Sequence, residues 1–198
     1  MRDDVLIAAA LLAAAYIVMS RQQDGVGWDG ISETVLTTFD EVAGAFTDQP
    51  LQDMNTSQNG IDMLKARERL RLTRYSLGDG GYTWGYGHFD TNPNALPETI
   101  TRDQAEAIFA DDLVSRGEKW VKLYVNVPVS QQQFDALVSI AFNMSPRSFK
   151  KFADQVNAGN GIDAIADQSV SWVSANLQNG IRNRRDDEKR LFNEGIYA

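Results

Sequence analysis

GIDMLKARERLRLTRYSLGDGGYTWGYGH, residues 60–88, reads as a short amphipathic helix followed by a glycine-studded hairpin. Ile61, Leu64 and Glu68 stand at i, i+3 and i+7 and so share one helical face. A carboxylate on an otherwise apolar stripe is costly to bury unless it is paired or keeps its proton, which makes Glu68 conspicuous. From Tyr82 onward the period changes. Tyr82, Trp84, Tyr86 and His88 alternate with Thr83, Gly85 and Gly87, which predicts a strand over 82–88 with one aromatic face. The other face would be bare glycine with a single hydroxyl, where a ligand can lie against the backbone. Asp79 stands in the glycine turn between helix and strand. Two carboxylates around a glycine-floored hairpin point to acid–base chemistry on a sugar.

Two further blocks extend the pattern: FDALVSIAFN at residues 134–143, and GIRNRRDDEKRLF at 180–192, with Trp172 ahead of it. Together the three resemble the phage-type lysozymes (endolysins, glycoside hydrolase family 24). That family places a catalytic Glu on a helix and a Thr just before a Gly-Tyr-Gly-His-like segment. The fifteen-residue spacing of Glu68 and Thr83 matches, and the blocks fall in family order across residues 58–198, about 70% of the chain.

The resemblance implies an α+β, lysozyme-like fold. The domain would be mostly helical and two-lobed, with a small hairpin sheet near 73–90 and a long helix over 101–124 joining the lobes. It implies a muramidase that cleaves the β-1,4 bond between N-acetylmuramic acid and N-acetylglucosamine in peptidoglycan, without metal or cofactor. Glu68 would be the general acid, and Thr83 would help hold the attacking water. Phe89, Phe142 and Arg184 would line the sugar cleft, although Phe142 at helical spacing fits core packing as well. The sequence departs from the family at the second carboxylate. Leu77 occupies its position, and Asp79 follows two residues later in Gly78-Asp79-Gly80-Gly81. Asp79 is either a relocated base or ordinary turn chemistry. Two other readings stay open: a Glu-only enzyme of lytic-transglycosylase type, and a membrane-anchored glycan binder or virion structural protein on a decayed lysozyme fold. His88 reads as a structural histidine.

Outside this domain the chain divides by charge and hydropathy. Residues 1–59 hold two basic and nine acidic side chains, and residues 60–198 hold seventeen and eighteen. The net charge of −8 therefore resides mostly in the first segment. The domain lacks the basic footprint that nucleic-acid binding requires. With no cysteine and one histidine, a thiolate or polyhistidine metal site is excluded. Residues 5–19, VLIAAALLAAAYIVM, are uninterruptedly apolar. We expect residues 1–20 to form an apolar helix, a membrane anchor or a signal-like segment. Residues 21–57 would be an acidic tether with one short helix over 32–46, and residues 58–198 the domain. An anchored domain would face the periplasm from the host inner membrane, or sit in the membrane of a virion, acting in lysis or in entry.

Within the domain, Thr101–Gln104 and Ser130–Gln133 have the form of capping boxes, and Ser145-Pro146 starts a further helix. Helices are expected at roughly 146–157, 161–174 and 183–194, with breaks at Gly159–Gly161 and Asn179–Gly180. Arg67, Arg69, Arg71 and Arg74 crowd around Glu68. They form either a solvated charged face or contacts to carboxylates of peptide stems.

Overall fold

The computed structural model describes residues 50–76, 78 and 80–197. The apolar run at 5–19, the helix expected over 32–46, and Leu77 and Asp79 lie outside the described residues. The fold is α+β, with helices far outweighing one small antiparallel sheet of order β1-β2-β3.

Helix α1, Gln58–Glu68, is started by Ser57, whose hydroxyl accepts from the Gly60 amide at 3.1 Å. This start is pinned to the interior. Buried Asp135 accepts from the Ser57 amide at 3.0 Å, from Gln131 at 2.8 Å and from the Tyr197 hydroxyl at 2.7 Å. Burial, together with that bond, pushes the Tyr197 phenol up to about 12. The packed region also begins earlier than residue 58. Met54 is buried, and the Thr56 amide and hydroxyl both donate to buried Glu118, at 2.7 and 2.8 Å. Residues 51–57, expected in the tether, therefore belong to the folded unit.

Strands β1 (Arg71–Tyr75), β2 (Tyr82–Gly85) and β3 (His88–Asp90) follow. The single strand expected over 82–88 is two strands. Gly85 and Gly87 take positive φ, +56° and +89°, and the Gly87 amide donates to the Trp84 carbonyl at 3.1 Å. The chain reverses there, so Trp84 pairs with His88 and Thr83 with Phe89. Alternation of aromatic and glycine continued through a turn that only glycine adopts at low cost, and so it mimicked an unbroken strand. The aromatic face points inward. Trp84 is buried and donates to the Pro97 carbonyl at 2.8 Å, and the buried Tyr86 donates to Glu106 at 2.8 Å.

One long helical segment links the sheet to the remaining helices. Its parts are α2 (Arg102–Asp112), a π-helical turn (Leu113–Glu118) and α3 (Lys119–Tyr124). It opens with the expected capping box, Thr101 and Gln104 bonding each other's backbone amides. Its first part packs on β2 and β3, and its last part on α4 (Gln131–Phe142) and α5 (Pro146–Asn157). Helix α4 has its capping box at Ser130–Gln133 and is buried from Phe134 to Phe142. Helices α6 (Asp163–Ser169) and α7 (Gln178–Glu194) complete the chain. The break expected at Asn179–Gly180 is absent. Gly180 lies inside α7 facing open space, where its helix penalty of ~1 kcal/mol is outweighed by packing of the same helix through Leu191 and Phe192.

Two ties fix the β2–β3 turn to the long helix. His88 Nδ1 lies 3.1 Å from Asp112, and Arg116 donates to Asp112 and to the Gly87 carbonyl, each at 3.2 Å. The bond to Asp112 raises the His88 pKa above its ordinary 6.5. Because the fold stabilises the charged imidazole, this contribution is fully present below about 6.5 and is lost as pH rises through the higher folded value. An NMR titration of this sole histidine should give a midpoint above 6.5, and Asp112→Asn should lower it. A second test concerns Gly117, where a Cβ would stand 2.8 Å from Val138 Cγ1. Gly117→Ala should cost about 1–3 kcal/mol in denaturant unfolding, and Val138→Ala in the same chain should recover part of the loss.

Candidate active site

Glu68 is the last residue of α1. Arg69 stops the helix with φ 54°, an uncommon conformation for a residue with a Cβ, and turns the chain into β1. The Glu68 carboxylate reaches the β2–β3 turn. A Cβ on Gly87, whose φ is +89°, would stand 3.3 Å from Glu68 Oε2, a tight contact that the glycine avoids. The other oxygen, Oε1, accepts from Arg184 Nη1 at 2.9 Å. The Glu68 side chain keeps 20% exposure. Among the described residues Oε2 has no hydrogen-bond partner, so one carboxyl oxygen is held and the other is available to a ligand.

Arg184 is itself held from behind. Its Nε donates at 3.3 Å to Glu188 Oε1, which also accepts from Ser139 Oγ at 2.6 Å. Glu188 has 0% exposure. Arg185 bonds its second oxygen, and Arg185 in turn donates to Ser169 and Asn143, both at 3.1 Å. Arg67 completes the group, 3.0 Å from Asp187 and 3.8 Å from Glu188. Burial pushes the Arg67 guanidinium below its ordinary value, and the Glu188 charge opposes that shift. Three arginines thus face three carboxylates, those of Glu68, Asp187 and Glu188. The cation that meets Glu68 is Arg184 of α7, not one of the arginines adjacent to it in sequence.

Thr83, on β2, is buried and stands directly opposite Phe89 on one side and Tyr75 on the other. Its hydroxyl has no hydrogen-bond partner among the described residues. Phe89 is 43% exposed and presents an apolar ring on the same sheet face. Phe142 does not line an open surface. It is 3% exposed, its ring centroid lies 5.8 Å from that of Phe109, and the Arg116 guanidinium lies 4.6 Å from its ring. Of the two readings open for it, core packing describes its position. Arg184 meets Glu68 rather than standing free, with its side chain 13% exposed. Asp79 lies outside the described residues, so no geometry is assigned to it.

Glu188, Ser139, Asp112 and Arg116 were not singled out from the sequence. A signal existed for Glu188: it follows Arg184 by four residues on a predicted helix, the spacing at which opposite charges pair. For Ser139 no local signal existed, because its partner is 49 residues away.

The comparisons agree with this geometry. Residues 65–188 match the phage lysozyme family. The chain is 36% identical over 149 residues to an endolysin of Salmonella phage P22, covering 70% of this chain and 98% of that protein. It is 34% identical over 148 residues to an endolysin of Bacillus phage B103, covering 72% of this chain but only 55% of that longer protein. Among solved structures, a P22 lysozyme variant superposes with TM-score 0.55 at 35% identity, over 70% of this chain and 98% of that one. The muramidase domain of SpmX from Asticaccaulis excentricus does so with TM-score 0.59 at 31% identity, over 70% and 97%. With the three-stranded sheet, the long helix and Glu68 beside the glycine turn, these matches establish a lysozyme-like fold, and the chain belongs to the phage lysozyme family.

Proposed function

We propose that this protein hydrolyses peptidoglycan at the β-1,4 bond between N-acetylmuramic acid and N-acetylglucosamine, with Glu68 as general acid. One observation carries the reading. Glu68 is fixed through Oε1 by Arg184 at the rim of the glycine turn, while Oε2 stands without a hydrogen-bond partner. A proton on Oε2 passes to the leaving glycosidic oxygen as the C–O bond breaks. Water attacks the anomeric carbon from the opposite face, and the Thr83 hydroxyl, which can donate and accept at once, holds that water. The water's proton goes to a second carboxylate, for which Asp79 is the candidate. In an inverting glycosidase the two carboxyl groups stand ~6.5–9.5 Å apart. Phe89 offers its exposed ring to a sugar face, and Arg184 keeps the acid in place.

A membrane tether at residues 5–19 completes the proposal. It would hold the enzyme in the host inner membrane facing the periplasm, or in a virion membrane, and bring the domain to the wall during lysis or entry. Leu77 at the family's second-carboxylate position favours two rival readings, a chain that uses Glu68 alone and a chain that only binds glycan.

Turbidity loss of permeabilised Gram-negative cells tests the chemistry. Glu68→Gln should reduce the rate by about 10²–10⁴-fold, the range of a positioned acid. Asp79→Asn should do likewise if Asp79 is the base. Full activity in Asp79→Asn with a dead Glu68→Gln would leave a one-carboxylate mechanism, and a folded wild type without activity would leave glycan binding. Membrane pelleting tests the tether. The full chain should resist alkaline extraction, and Leu11→Arg with Leu12→Arg should release it; a wild type already soluble would remove the anchor from the proposal.

A further inference from the structure

The four arginines around Glu68 have separate fates. Arg67 is committed to Asp187 and Glu188. Arg74 lies 4.7 Å over the Tyr82 ring and bonds the Pro93 carbonyl. Arg69 carries the positive φ that ends α1. Arg71 is exposed, and its guanidinium lies 4.4 Å from the centre of the Tyr75 ring. No hydrogen bond or ion pair engages it among the described residues.

The position of that stack matters. Tyr75 is the cross-strand partner of Thr83, and Thr83 is the partner of Phe89. Directly opposed residues on neighbouring strands share a face. One face of the sheet therefore carries, side by side, an exposed apolar ring, an unengaged hydroxyl, and a guanidinium resting on a phenol ring. A guanidinium stacked on an aromatic face is pre-oriented, and its N–H edge stays open to a planar anion. Two strands away from Phe89, that edge adds one recognition element that a neutral sugar does not call for. A carboxylate, taken up by two parallel N–H bonds, matches it.

We propose that Arg71, stacked on Tyr75 beside Thr83, binds a carboxylate of the substrate. This rests on the peptidoglycan reading above and narrows it to carboxylate-bearing glycan. Two sources share that chemistry: the lactyl group of the muramyl unit, and the peptide stem attached to it. The arrangement makes Arg71 a specificity determinant that separates carboxylated wall polymer from neutral β-1,4-linked amino-sugar chains.

The test is co-sedimentation of the full chain with purified sacculi. It is run in a Glu68→Gln background so that the polymer stays intact, and it compares Arg71 with Arg71→Gln and Arg71→Lys. Sacculi are used untreated, amidated with carbodiimide and ammonia, or stripped of peptide stems by an amidase. We expect Arg71→Gln to bind untreated sacculi about tenfold or more weakly, the scale of a hydrogen bond to a charged group. Amidation should weaken the Arg71 chain by the same factor and leave Arg71→Gln unchanged, with Arg71→Lys in between. A surviving difference on stem-free strands assigns the lactyl carboxylate, and its disappearance there assigns the stem. The proposal fails if Arg71→Gln binds as the parent does, or if amidation weakens both chains equally. Unchanged melting temperatures would show that the exposed substitution leaves the fold intact. Binding is read apart from turnover, so loss of the hydrolase reading and loss of this one are separate results.

Discussion

Glu188 is a carboxylate with no exposure to water, and the site is assembled around it. A buried charge is tolerated only when partners replace its hydration, and here Ser139, Arg184 and Arg185 do so, with Arg67 nearby. Removing one partner from such a group typically costs about 3–5 kcal/mol, because the survivors stay buried and uncompensated. The group therefore locks α7 to α4, through Ser139, and to the end of α1, through Arg67. Arg184 extends the same lock to Glu68. The proposed acid is thus held at the end of a chain of charges that begins in the core, so its rotamer is set by packing well away from solvent.

The second constraint acts on the opposite wall. The β2–β3 turn has little side-chain bulk of its own at Gly85 and Gly87, and it is held by bonds from the long helix. Arg116 reaches the Gly87 carbonyl, shares Asp112 with His88 and lies on the Phe142 ring. The wall facing Glu68 is therefore a backbone surface fixed from behind. That arrangement leaves the main chain of the turn open while holding it off Glu68.

Much of this was written locally in the sequence. The capped helices were legible because Thr101, Ser130 and Ser145-Pro146 satisfy their own first turns, which needs no tertiary information. The places of Glu68 on a helix and Thr83 on a strand were legible by pattern and spacing. What failed had a shared cause. The Gly85–Gly87 reversal was hidden because aromatic and glycine alternation ran straight through it. The start of α7 was missed because a glycine cost was outweighed by packing invisible in one dimension. The partner of Glu68 lies 116 residues away, a distance at which sequence carries no pairing signal. Phe142 fitted a core and a cleft equally well at the level of residue type, and only burial separates them.

The π-helical turn at Leu113–Glu118 can be understood as a phase adjuster. An α-helix advances about 100° per residue, so one residue more or less rotates everything beyond it by roughly that angle. The wider turn lets Asp112 and Arg116 face the sheet while Gly117, Val121 and Val125 face the helical core. A single-residue deletion here would do little to the length of the connection. It would re-aim one end against the other, swinging the hairpin wall away from the acid it faces. The spacing of the two halves is thus tolerant along the helix axis and intolerant around it.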